Sequence, residues 1–180
     1  MTDAALQEIL TTESVSGGRA GKYLTFRLGA EEYGVEIHKV REIIGLMEIT
    51  RVPRTPEYVR GVINLRGKVV PVMDLRQRFD MEAVEDTEQT CIVVVEITTT
   101  GKAVMTGIVV DSVSEVLDIQ ESQIEETPSF GTNVDMDFIN GIAKQKNQVK
   151  ILIDIEKVVD STDLTAFDEV ESEDEPTDNE

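Results

Sequence analysis

One histidine, His38, and one cysteine, Cys91, bound the side-chain chemistry open to this chain of 180 residues. A single imidazole excludes a two-histidine metal site, and no Cys/His set has zinc spacing. Cys91 opens the apolar run Cys91-Ile92-Val93-Val94-Val95 with no basic neighbour to lower its pKa, so it reads as an inert core thiol. Thr100-Gly101-Lys102 is superficially like a phosphate loop. Position 96 is Glu96, where such a loop needs glycine, so the segment reads as a hairpin turn. No Gly-x-Ser-x-Gly elbow exists. Asp135 and Asp137 lack the twelve-residue calcium-loop pattern, and solvation is their expected role. The 36 acidic residues will always supply carboxylate pairs, so a pair alone carries no weight. No catalytic, metal-binding or cofactor-binding residue is assigned, and no enzyme is expected. His38 is expected at the surface or at its boundary with the core, in a turn.

Two charged residues remain. Glu42 lies in the apolar segment Val40-Arg41-Glu42-Ile43-Ile44, and Arg66 lies beside Gly67 where a hairpin tip is expected. Guanidinium suits planar pairing with carboxylate and contact with partners. Two readings stand side by side: a pair placed at a partner surface, or an ordinary exposed arginine and an edge-strand glutamate.

The elements that position these residues are short strands. Aromatics are 4% of the chain and there is no Trp, so Val, Ile and Leu must build the core, which favours strands. Turn signals separate ten candidate strands: 22–28, 32–37, 42–46, 61–65, 69–74, 91–97, 103–111, 116–119, 139–143 and 148–153. Helices are few. Thr55 and Pro56 predict one helical turn over Glu57–Arg60. Asp74 and Asp154 predict capped turns at 75–79 and 155–159. Residues 1–21 read as a flexible arm, with helical spacing of Leu6, Ile9 and Leu10. Residues 161–180 read as an acidic, largely disordered tail.

The chain repeats itself. Gly61-Val62-Ile63, Arg66-Gly67-Lys68-Val69 and Val72-Met73-Asp74-Leu75 return 80 residues later as Gly141-Ile142-Ala143, Lys146-Asn147-Gln148-Val149 and Leu152-Ile153-Asp154-Ile155. Upstream, Gly34–Ile43 returns 73 residues later as Gly107–Val116. Two similar subdomains are expected, about 22–79 and 88–160, sharing an interface because a lone barrel of that size is marginal.

Charge is uneven. The formal net charge is −19, yet residues 22–78 hold eleven Lys/Arg against seven Asp/Glu. Residues 79–143 hold fourteen acids and one base, Lys102. An acidic total argues against nucleic acid and anionic membrane, while halves of opposite sign suit steered protein contact. No secretory signal or membrane span is visible, and a single Cys fits a reducing compartment, so a cytoplasmic location is expected.

Three stretches carry a family resemblance: Glu31–Ile43, Arg51–Arg76 with its Gly61-Val62-Ile63-Asn64-Leu65-Arg66-Gly67 centre, and Gly107–Val116. Across about residues 20–160 the chain resembles the CheW family of chemotaxis adaptor, or coupling, proteins. The resemblance implies an all-β fold with a few short helices, built as two SH3-like five-stranded barrels on a shared core. It implies a stand-alone, non-catalytic scaffold without cofactor, monomeric when free. Its partners would be the regulatory domain of a CheA-type histidine kinase and the cytoplasmic tips of methyl-accepting chemotaxis receptors. It would be recruited to membrane-associated receptor arrays. Carried over by position, Val40, Glu42, Gly61, Arg66, Gly107 and Val116 match places of receptor or kinase coupling, with Glu42 and Arg66 as the family's Glu–Arg pair. Val40 and Ile44 would belong to an apolar docking face. Ile44 stands where some members carry a basic residue, and the acidic tail lies outside the motif. Rival readings are a barrel that binds nucleic acid, a hydrolase with a carboxylate pair, and an adaptor of a non-flagellar chemosensory array.

Overall fold

The computed structural model describes residues 20–99, 101–126 and 138–159. The expected N-terminal arm, the acidic tail, Asp135 and Asp137 lie outside them, save for Ala20 and Gly21. The strands are β1 (Gly21–Leu28), β2 (Glu31–Glu36), β3 (Val40–Gly45), β4 (Val59–Leu65), β5 (Lys68–Asp74), β6 (Cys91–Thr99), β7 (Lys102–Val110), β8 (Ser112–Ile119), β9 (Ile124–Glu125), β10 (Ile139–Gln145) and β11 (Gln148–Ile153). Two four-residue helices, α1 (Leu75–Arg78) and α2 (Ile155–Val158), follow β5 and β11. Their caps are the expected ones: Asp74 accepts from the Gln77 N–H and Asp154 from the Glu156 N–H.

All ten expected strands form, with ends shifted by a few residues. The two-residue β9 is additional, pairing with Ile142 and Ala143. The helical turn expected at Glu57–Arg60 does not form. The Val59 N–H donates to the Pro56 carbonyl in a tight turn, and Val59 and Arg60 open β4. Pairing of Val59 with Met73 outweighs the local Thr-Pro signal.

The strands form two sheets, ordered β8-β1-β2-β11-β10-β9 and β3-β6-β7-β5-β4. In the second, Thr50 and Val62 exchange two hydrogen bonds of 2.8 Å, bringing the chain after β3 back onto β4 and joining the sheet's edges. In the first, β9 does the same after β8. The fold is mostly β, with two sheets that match two SH3-like subdomains. The repeat is structural. Bulges recur at Arg41 in β3 and Ser114 in β8, and again at Arg60 in β4 and Asn140 in β10. Asp74 N–H donates to the Tyr58 carbonyl at 2.6 Å, and 80 residues on Asp154 N–H donates to the Phe138 carbonyl at 2.7 Å.

The sheets do not follow the expected division at 79/88. Strands β3 to β7, residues 40–110, form one sheet; β1 and β2 join β8 to β11 in the other. The cause is the length of two connections. Three residues, Ile37–Lys39, link β2 to β3, and Asp111 alone links β7 to β8. A crossover back to the far side of β1 needs a dozen residues or more, so β3 cannot take the place that β8 holds there.

Packing follows this arrangement. Tyr23, Ile119, Ala143 and Leu152 fill one barrel, and Ile63, Val70, Val72, Ile92 and Val94 fill the other. Between them lies a larger core to which both contribute, including Leu24, Phe26, Val35, Val93, Val95, Ile108, Ile153 and Ile155.

Candidate functional site

Arg66 sits at the tip of the β4–β5 hairpin because Arg66 and Gly67 both take left-handed backbone, φ 52° and 88°. Such a two-residue turn matches strand twist, and Asn64 fixes it by accepting from the Gly67 N–H at 2.8 Å. Glu42 follows the β3 bulge and pairs with Val94. Bulge and hairpin lie on opposite edges of the sheet, and closure brings the edges together. There the guanidinium forks onto the carboxylate. Arg66 Nη1 donates to Glu42 Oε2 at 2.9 Å, and Nη2 donates to Oε1. The Arg66 side chain is 69% exposed and that of Glu42 19%. The Arg66 hydrogen bond holds the Glu42 carboxyl below its ordinary value, against the opposing effect of burial.

The surroundings are mixed. Arg41 Nε donates to Glu96 at 2.9 Å and its Nη1 to the His38 carbonyl at 3.0 Å, forming a second ion pair that joins β3 to β6. Val69, 55% exposed, and Met47 offer bare apolar surface, and Ile44, Leu46 and Ile49 are half-buried against the barrel core.

The other expected residues lie elsewhere. Val40 is 2% exposed in the shared core, so it does not line a docking face; the strand reverses its facing at the bulge. Gly61 is buried at φ 143°, and a Cβ there would stand 2.1 Å from the Thr50 carbonyl oxygen, so the seam needs glycine. Gly107 is also buried: a Cβ would meet Ile92 at 2.8 Å and Val72 at 3.3 Å. Val116 is half-buried on β8 in the other sheet, opposite Leu24. Of the six, only Glu42 and Arg66 touch by hydrogen bonds, with Gly61 supporting the seam between them.

Cys91 is half-buried, and burial pushes its thiol up to about 11, the state of an inert thiol. His38 is exposed in the short turn after β2, its Nε2 3.1 Å from Glu36. A cavity of about 160 Å³ opens beside it, lined by Glu36, Lys39, Asn140, Asp154 and Glu156. Lys39 there is already paired with Glu156 at 2.8 Å. No cluster of three or more metal-ligating side chains occurs among the described residues, nor does a helix long and apolar enough to cross a membrane.

Sequence reasoning missed three ion-pair groups that set the geometry. Arg60, at the β4 bulge, reaches Asp74 at 3.2 Å and Asp86 at 2.8 Å. Arg76 holds Asp111, and Lys150 meets Glu32 at 2.7 Å. No spacing rule finds these pairs, because their partners are brought together by the sheets.

Residues 22–163 match the family model described as the CheW-like domain. A chemotaxis protein CheW from Klebsiella aerogenes is 38% identical over 163 residues, covering 90% of this chain and 96% of the relative. One from Bacillus subtilis is 36% identical over 140 residues, 77% of this chain and 86% of the relative. Among solved structures, the scaffolding protein TtCheW from Thermoanaerobacter tengcongensis superposes with a TM-score of 0.66 at 39% identity, covering 76% of this chain and 90% of that one.

Proposed function

Because this chain belongs to the CheW-like domain family, we propose that it is a non-catalytic adaptor joining methyl-accepting chemoreceptors to the regulatory domain of a CheA-type histidine kinase. The chain would work in the cytoplasm, monomeric when free, and recruited to receptor arrays at the membrane. The same reading covers arrays whose output is something other than flagellar movement. The observation that carries it is the exposed Arg66–Glu42 fork on the closing seam of one barrel, with bare Val69 on the same hairpin. Two filled barrels offer their exterior for work, and a charged fork with an exposed valine on its hairpin has the make-up of a protein-contact surface. Val40, Gly61 and Gly107 act in this reading from beneath, by fixing strand positions, whereas Glu42 and Arg66 meet the partner. Val116, on the other barrel, serves a separate contact.

The mechanism is geometric. One contact holds the receptor tip, another holds the kinase, and a rigid body between them turns receptor displacement into a change in how the kinase is presented. The test mixes the full chain with receptor cytoplasmic tips and the kinase regulatory domain. Capture of both, and receptor-dependent phosphorylation that rises when the chain is added, are expected. Failure to capture either partner at micromolar concentration overturns the reading.

A further inference from the structure

Short links fix where β3 and β8 go, but they leave the two hairpins undecided. Thirteen residues, 46–58, separate β3 from β4, and thirteen more, 126–138, separate β9 from β10. Either run is long enough to carry its hairpin to either sheet. The hairpins share one pattern, with Gly61, Val69 and Asp74 returning as Gly141, Val149 and Asp154, and the strands that receive them share Gly34 and Gly107. Leu152 of β11 lies opposite Gly34 of β2, while Val72 of β5 lies opposite Gly107 of β7. The offsets of 80 and 73 convert one junction into the other.

Several equivalent positions differ in size, Ile63 against Ala143 and Tyr33 against Thr106 among them, but at the junctions one pair differs in charge. At the β2–β11 junction Lys150 stands in register with Glu32, its Nζ 2.7 Å from Oε2, and Lys150 is only 3% exposed. The same offsets give Val70 and Met105 at the other junction, both packed in the apolar core of that barrel. Exchanging the hairpins would set Glu32 against Val70 and Lys150 against Met105. Lys150 would then be buried with no carboxylate in register, and the half-buried Glu32 would lose its lysine and keep only Ser114 and Arg27, an arrangement more costly than the native one.

We propose that the buried Lys150–Glu32 pair decides which hairpin completes which barrel. A buried ion pair adds little net stability, because desolvation opposes attraction; its effect is on the choice between arrangements.

The test uses the full-length chain, refolded from denaturant and read by ¹H–¹⁵N correlation spectra. Glu32→Met with Lys150→Val removes the charge difference between the two junctions. That double variant is expected to refold into two slowly exchanging populations, seen as doubled cross-peaks from β2, β5, β7 and β11. The charge-reversed variant Glu32→Lys with Lys150→Glu keeps the discrimination and is expected to give one set of peaks, as the unaltered chain does. A single native-like spectrum from the apolar variant overturns the proposal, because pairing would then be chosen elsewhere. Failure of the apolar variant to fold also overturns it, since the pair would be needed for stability itself. Doubled peaks from the charge-reversed variant count against it equally.

Discussion

Arg76 on α1 grips Asp111, the lone residue between β7 and β8, through hydrogen bonds of 2.8 and 2.6 Å. Asp111 also accepts from the Gly29 N–H at 2.8 Å, and its own N–H donates to the Arg27 carbonyl at 3.1 Å. One carboxylate thus ties the end of β5 to the turn between β1 and β2, across the two sheets.

Asp111→Asn keeps the shape and removes the charge. A loss of roughly 1.5–3 kcal/mol is expected, the usual range for hydrogen bonds to a charged group, measured by urea unfolding at pH 7. The Arg76 hydrogen bond holds the Asp111 carboxyl below its ordinary 3.8. A depressed folded value means the stabilisation is present above about pH 4 and fades as pH falls through that lower value. The gap between variant and unaltered chain should therefore narrow as the pH is lowered; a gap that does not change with pH would show that the charge is not its source.

Arg66→Ala should leave the melting temperature unchanged, because the side chain stands in solvent at a hairpin tip. Receptor-dependent kinase activation should fall severalfold. Exchanging the charges, Glu42→Arg with Arg66→Glu, should restore part of what each single change loses. A double variant no better than the singles would show that the two residues act separately.

Gly61→Ala should cost about 3 kcal/mol or more, since both backbone and space forbid a side chain there. Gly45→Ala is the control. Nothing lies within 4 Å of its Cβ position, and a change within about 0.5 kcal/mol is expected. Equal effects at both sites, measured by denaturant unfolding, would contradict the close approach of Thr50 at the seam.

Cys91 should resist alkylation by iodoacetamide at pH 8 in the native protein and react readily in denaturant. With the thiol pushed up to about 11, about one molecule in a thousand carries the reactive thiolate at that pH. Native labelling as fast as that of free cysteine would show the site to be more open than its burial indicates.

Local features were legible in the sequence. Arg66-Gly67 and Lys146-Asn147 each predict a two-residue hairpin turn, and all four residues take positive φ. Asp74 and Asp154 predict short capped helices that form. The repeat predicts two similar barrels on a common core. What stayed hidden is which segment pairs with which. Periodicity shows that β2 resembles β7, not that β2 borrows β11, because likeness between segments holds no record of their partners. The shortness of the Ile37–Lys39 and Asp111 links bears on where β3 and β8 go, but not on which hairpin β2 receives. Val40 was misplaced for a related reason: the bulge at Arg41 resets the alternation of faces, and a bulge leaves no mark in a run of apolar residues.

Asp111 and the Ile37–Lys39 turn are also the two doors through which residues 40–110 enter and leave the rest of the chain. Both are tight, and the first is bolted by Arg76. A body hung at two such points has no elbow. When one barrel is tilted the other must follow, so a push received on one side arrives at the far side as displacement, with little lost to bending in between.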